Sequence, residues 1–257
     1  MITSNPIFND LAVPEHQDIG REEGFERATL SGAISKAGTL LVLLIIAAAW
    51  SWVEVTSLLN ESPAYGPPIF GVFVATLVAA LVLVWLTVRN KTWSPVSAPI
   101  YALLEGAVIG LLSAGFDRRY PGIVVQAVMV TVTICTCLLA AYGFGWIRVT
   151  AAFNRKLSAV ISGAVIYYLG LFALHLMGVR WLPMLTAGIP AIAVSTVVVG
   201  IAGMVLVSNF DSAAKCAQMK LPKYMEWYLA LGLIIALVWM YLEILDLLSK
   251  ARRAEGR

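Results

Sequence analysis

Charge is scarce in this sequence. Of its 257 residues 13% are charged, about half of the roughly 25% found in ordinary soluble domains. Leu, Val, Ile and Ala take the place of the missing charge: 60% of the residues are hydrophobic and the mean hydropathy is +0.84. Such a chain is an integral membrane protein rather than a soluble one. Histidine is scarcer still, with only His16 and His175, so there is no H-E-x-x-H zinc site. G-x-S-x-G and Walker loops are also missing. No enzyme activity and no cofactor are therefore expected. Intramembrane aspartyl chemistry would need two facing Asp residues within spans, and only Asp211 is a candidate. Three cysteines give no disulfide framework. Cys135 and Cys137 lie inside an apolar run, where C-x-C reads as a pair of small apolar residues rather than a metal site. The net charge of +3 is scattered between apolar runs, which excludes a nucleic-acid patch. A basic start leading into an apolar core, the mark of a cleavable signal peptide, is absent. The first thirty residues are polar and acidic and are expected to form a flexible cytoplasmic tail.

What is present is a series of apolar segments. Crossing a bilayer takes about 20 residues, because a helix rises ~1.5 Å per residue through a ~30 Å hydrocarbon core. Seven segments qualify: Ala37–Val55, Ile69–Val88, Ala98–Ala114, Ile123–Tyr142, Leu157–Met177, Ala187–Phe210 and Trp227–Leu248. Gly and Pro clusters such as "ESPAYGPP" and "YPG" separate them, and no gap could hold a soluble domain. Residues 31–250 thus read as one seven-helix domain, followed by a basic tail at 251–257. Trp50, Trp52, Trp85, Trp146, Trp181 and Trp227 fall near segment ends, where interfacial aromatic residues belong. With the N-terminus inside, eleven of the 18 Lys and Arg residues fall on the inner side, so that orientation is expected. The C-terminal "KARRAEGR" runs against it.

Ionisable residues inside spans cost roughly 2.5–3.5 kcal/mol each and are candidates for function by default. Asp211 ends the sixth segment in "MVLVSNFD". It is either an interfacial residue that closes a helix or a gate or proton site facing the bundle. Glu105, in "YALLEGAVIG", lies deep in the third segment. Beside it Gly106 and Gly110 have the G-x-x-x-G spacing that lets another helix approach closely. Glu105 is either a structural carboxyl bonded to a neighbouring helix or a pathway acid. Glu226 opens the seventh segment, where an acid near a helix N-terminus is commonplace. Arg89 ends the second segment, either as a topogenic charge or as the partner of an inner carboxylate. His175 reads as an interfacial group, and Glu243 and Asp246 as residues reaching the far interface.

Several stretches together carry a resemblance: "SNPIF" (4–8), "YALLEGAVIG" (101–110), "YPGIVVQAV" (120–128), "WIRVT" (146–150), "SNFD" (208–211), "KYMEWYLALGL" (223–233) and "WMYLEIL" (239–245). The chain resembles bacterial members of the Bax inhibitor-1 family, also called the transmembrane Bax inhibitor motif family. The resemblance implies seven transmembrane helices with the last one central, a bacterial inner-membrane location, and a pH-sensitive calcium leak. In the family, two aspartates close the pore, one ending the sixth helix and one within the seventh, helped by an arginine ending the second. The first aspartate carries over to Asp211 and the arginine to Arg89. The second falls at about Ala236 and does not carry over. Glu226, Glu105 or a pairing of Asp211 with Arg89 could stand in. The expected gate and ion pathway is Asp211, Glu105, Arg89 and Glu226, with Asp211 and Glu105 meeting Ca²⁺ or H⁺ in passing. The other role open to such a chain is that of a non-conducting modulator. It would bind a membrane-anchored protease or another membrane partner through the tail before about Leu30.

Overall fold

A computed structural model describes residues 27–61, 66–176, 188–219 and 221–255. Among them lie seven helices: α1 (Leu30–Glu61), α2 (Gly66–Arg89), α3 (Ser94–Arg119), α4 (Ile123–Gly143), α5 (Ala151–Leu176), α6 (Ile189–Gln218) and α7 (Met225–Glu255). A short 3₁₀ turn, Lys91–Trp93, joins α2 to α3. The polar head before Arg27 and most of the loop after α5 lie outside the described residues. Six of the helices are long and apolar enough to cross a membrane; α5, the counterpart of the expected fifth span, is not among the six.

The apolar runs become helices because hydrocarbon offers no partners to a bare backbone, and a helix satisfies its own N–H and C=O groups. α3 and α6 each carry a proline in the first turn, where the absent N–H would be unpaired anyway; α3 also holds Pro99 in its interior, where it removes one helical hydrogen bond. The "YPG" break between α3 and α4 is a tight turn. Gly122 sits at φ 80°, a region that favours glycine, and its N–H donates to Asp117 Oδ1 at 2.9 Å.

The last helix is the hub. α7 packs against α1, α3, α4 and α6, and 67% of its apolar stretch is buried against 11% for α2. Its buried side chains, among them Met240, Ile244 and Leu245, form the centre of the main core with Leu40 of α1, Ile123 of α4 and Ala202 of α6. The outward faces of α1, α2 and α4 expose Val42, Ile46, Leu81, Val82, Met129 and Val132, as lipid-facing surfaces should.

The G-x-x-x-G pair does what its spacing predicts. A Cβ on Gly106 would strike the Leu44 carbonyl and lie 2.8 Å from Ala47 Cβ, and one on Gly110 would strike the Ala48 carbonyl. Ser51 Oγ donates to the Ala107 carbonyl at 2.8 Å across the same seam. Close backbone approach of this kind is the main source of helix association in lipid. Gly115, one turn on, has open space around it. Gly110→Val is therefore expected to destabilise the bundle by about 1–3 kcal/mol, the usual cost of overpacking, while Gly115→Val leaves it unchanged. Unfolding titrations of both variants in detergent micelles check this, and equal losses would contradict the packing described.

Candidate functional site

The sixth helix does not stop at its aspartate. α6 continues almost two turns beyond Asp211, to Gln218, because "DSAAKCAQ" holds no helix breaker and places Lys215 four residues on, where an acid–base pair supports a helix. Asp211 is therefore a mid-helix residue, 7% exposed, and not a helix terminator. Its Oδ1 accepts from the Tyr142 hydroxyl at 3.0 Å, at the end of α4. Its Oδ2 lies 2.5 Å from Lys215 Nζ, yet off the line of a hydrogen bond, so this buried oxygen has a charge beside it but no directed donor. Lys215 is about half exposed and also reaches the Val149 carbonyl at 3.5 Å. One residue before Asp211, the Phe210 ring packs edge-on against Tyr142, 5.6 Å between centroids. One residue earlier, Asn209 Nδ2 donates to the Gly232 carbonyl of α7 at 2.9 Å. The C-terminal part of α6 is thus tied to α4 and α7 on consecutive residues.

Glu226 occupies a different place. It lies in the first turn of α7 with its side chain fully buried. Oε1 accepts from the Thr29 backbone N–H at 2.8 Å and from Thr29 Oγ1 at 3.1 Å, and Oε2 pairs with Lys36 Nζ. Thr29 is the N-cap of α1, with its hydroxyl accepting from the Gly32 N–H at 3.0 Å. In a capping box a glutamate at the third helical position reaches back to the cap N–H. Here that position is Gly32, and a Cβ on it would collide with the Glu226 carboxylate. Glu226 thus supplies from 197 residues away the acceptor that a local glutamate supplies elsewhere.

The remaining expected residues stand apart. Glu105 is 8% exposed in α3, and its carboxyl neighbours the Tyr101 hydroxyl one turn back. Arg89 is exposed at the end of α2, with its guanidinium 4.9 Å from the Trp85 ring centre. Among the described residues no bond joins Asp211 to Glu105, Arg89 or Glu226, so the cation beside Asp211 is Lys215. Ala236 is packed in the core at 1% exposed. Nor does any group of three His, Cys, Asp or Glu side chains converge among the described residues, so a permanently held metal ion has no ligand set there. A cavity of about 510 Å³ lies between α1, α3, α4 and α7 and is walled by residues such as Leu44, Trp52, Ile109, Val128 and Leu237. Its walls are almost wholly apolar, and it includes none of these acids. A smaller cavity of about 90 Å³ adjoins Asn209, Ser212, Tyr228 and Gly232, next to the α6–α7 tie.

Two further sites were not visible as such in the sequence. At the opposite end, Lys250 Nζ lies 2.5 Å from Asp246 Oδ2 and donates to Ser195 Oγ at 2.7 Å, joining the start of α6 to the end of α7. The i,i+4 spacing of Asp246 and Lys250 signals the ion pair, but nothing in the sequence points to Ser195. α7 also runs on through Glu255, and Arg252 and Arg253 on its last turn bond Gln126 and the Tyr120 hydroxyl. Tyr142, the partner of Asp211, carries no signal beyond its place at a span end.

Neither a curated protein nor a solved structure matches the chain. A family model described as Bax inhibitor 1 like matches residues 5–253.

Lys215→Met leaves the Asp211 carboxylate buried beside a single hydroxyl. The expected loss is about 1–2 kcal/mol, below the usual cost of orphaning a buried charge because Lys215 is half exposed. Adding Asp211→Asn should recover part of that loss, since neither partner then carries an unmatched charge. A double-mutant cycle by unfolding in micelles measures the coupling, and a double variant less stable than Lys215→Met alone would contradict it.

Proposed function

The chain belongs to the Bax inhibitor 1 like family, and from that premise we propose that it is a cation leak of the cell membrane, closed at its inner end around Asp211. One observation carries this reading. A carboxylate is buried within a long apolar helix, and one of its oxygens faces a mobile ammonium instead of a directed hydrogen bond. Hard cations such as Ca²⁺ take oxygen ligands of this type, and an ionisable residue within a spanning helix is a functional candidate by default. Lys215 then acts as the resident counter-ion that an incoming cation must displace. Its long, half-exposed side chain can swing into the loop region, where the Val149 carbonyl already receives it.

The Asp211–Lys215 pair and the Tyr142 hydroxyl together close the α4–α6 contact, and loss of Lys215 loosens the closed state. Glu105 serves as a second acid within the bundle and Glu226 as a holder of the inner frame, while Arg89 stays on the rim with Trp85. The seven-span arrangement, with the N-terminus in the cytoplasm of a bacterial cell and the bilayer as its main partner, belongs to this proposal.

A second reading has one observation in its favour. The residues that follow the N-terminal head are fastened to the base of α7 through Ala28 N–H and the Leu221 carbonyl, 2.7 Å. A partner such as a membrane-anchored protease that grips the head would therefore act on the hub helix. In that case the chain is a modulator rather than a leak.

Ca²⁺ uptake into proteoliposomes between about pH 5 and pH 8 separates the two. The leak reading expects protein-dependent uptake that increases about tenfold in Lys215→Met as about 1.4 kcal/mol of closing energy is lost, and that falls in Asp211→Asn, which removes the carboxylate that meets the ion. Asp211→Asn/Glu105→Gln should lower uptake further. Removal of residues 1–26 leaves a leak intact but abolishes modulation. No protein-dependent uptake at any pH would overturn the leak reading.

A further inference from the structure

Glu226 is buried at the point where three helix ends meet. The segment before α1 runs antiparallel to the segment before α7, with Arg27 opposite Pro222 and Ala28 N–H bonded to the Leu221 carbonyl at 2.7 Å. Thr29 and Lys36 then close on the Glu226 carboxylate from two successive turns of α1. Lys36 Nζ also lies 5.5 Å above the Trp227 ring. One turn inward, Ala33 of α1, Leu229 of α7, and Ala213 and Cys216 of α6 form a separate packed cluster, with Ala33 and Cys216 fully buried. Two residues before Ala213 is Asp211. The carboxylate of Glu226 and the gate candidate thus sit on either side of one small apolar contact.

We infer that the Glu226–Lys36–Thr29 contact is a latch that holds the inner end of α6 in place through this cluster, and that it couples the chain leading into α1 to the state of Asp211. A buried charge that loses one partner is left strongly uncompensated, so the latch has two states rather than a continuum. Closed, it draws the first turn of α1 onto α7 and packs Ala33 and Leu229 over Cys216. Open, it frees the start of α1, unpacks Cys216 and relaxes the turn of α6 that carries Asp211. Displacement of residues 27–36, as by force on the head that precedes them, opens it. The coupling to Asp211 rests on the gate reading given above; the latch and its control of the α6 end do not.

Cys216 is the natural reporter. In the full-length chain with Cys135→Ser and Cys137→Ser, a charged maleimide should label Cys216 slowly. Glu226→Gln and Lys36→Met should each speed labelling about tenfold or more, because each orphans a buried polar partner. Lys36→Arg, which keeps the charge, should stay slow, as should Lys250→Met at the opposite end of the bundle. If either latch variant elutes as an aggregate, Thr29→Ala takes its place; it removes the hydroxyl donor and is expected to give a smaller acceleration. Unchanged labelling in folded latch variants, or equal acceleration in Lys36→Arg, would overturn the latch. Faster labelling with no Ca²⁺ uptake in any variant would uphold the latch and overturn the leak instead.

Discussion

One buried carboxylate organises the end of the bundle where α1 and α7 begin. Glu226 is fully enclosed and accepts from the cap residue of the first helix while pairing with a lysine two turns along it. A charge in such a place is tolerated only when its oxygens are all matched. Matching them fixes where α1 begins, forces glycine at position 32, and sets the start of the hub helix against the start of the chain's first span. Most of the remaining core is apolar packing, with a few interhelical hydrogen bonds such as Ser51 to Ala107 and Asn209 to Gly232. In lipid, where helix association gains little from the hydrophobic effect, a single satisfied ionic contact between distant segments has unusual weight.

The same logic recurs at two more points, with different outcomes. Asp246, Lys250 and Ser195 close the opposite end of the α6–α7 pair with a partner for each group. Asp211 does not reach that level of satisfaction, because one of its oxygens lacks a directed donor. Glu105, buried in α3 beside the Tyr101 hydroxyl, has no cation paired with it among the described residues, and Asp211 is the weak point at its own end of the bundle. Functional sites are where such local rules are broken. The large apolar cleft between α1 and α4 is a packing feature of the lipid-facing wall and contributes nothing polar to that weak point.

Much of the fold was legible from the sequence. Apolar run length predicted where helices lie; the expected fourth span, Ile123–Tyr142, differs from α4 by one residue. G-x-x-x-G predicted a tight seam, and Gly106 and Gly110 form it. Run length misplaced the ends, because helices continue past the hydrocarbon wherever polar helix formers follow. That is why α6 extends to Gln218 and Asp211 is not a terminator. The fifth expected span corresponds to α5, which is not among the six helices apolar and long enough to cross. At the site, Asp211 and Glu226 could be singled out from their positions, but their long-range partners could not. Lys215 was legible in principle, four residues on along the same helix. Tyr142, Thr29 and Lys36 lie 69 to 197 residues away from the acids they serve, and no local pattern reports a tertiary contact of that span. That Tyr142 meets Asp211 came only from the folded arrangement.

The central claim is that the contact between Tyr142 and Asp211 closes the inner end and opens when ions pass. Pulsed electron paramagnetic resonance between spin labels at Phe144 and Gln218, both exposed, reads the separation of the α4 and α6 inner ends directly. In proteoliposomes the account predicts a narrow distance distribution where Ca²⁺ uptake is slow. It predicts a longer and broader one in Lys215→Met, where uptake is fast. An unchanged distribution while uptake varies would place the gate elsewhere in the bundle.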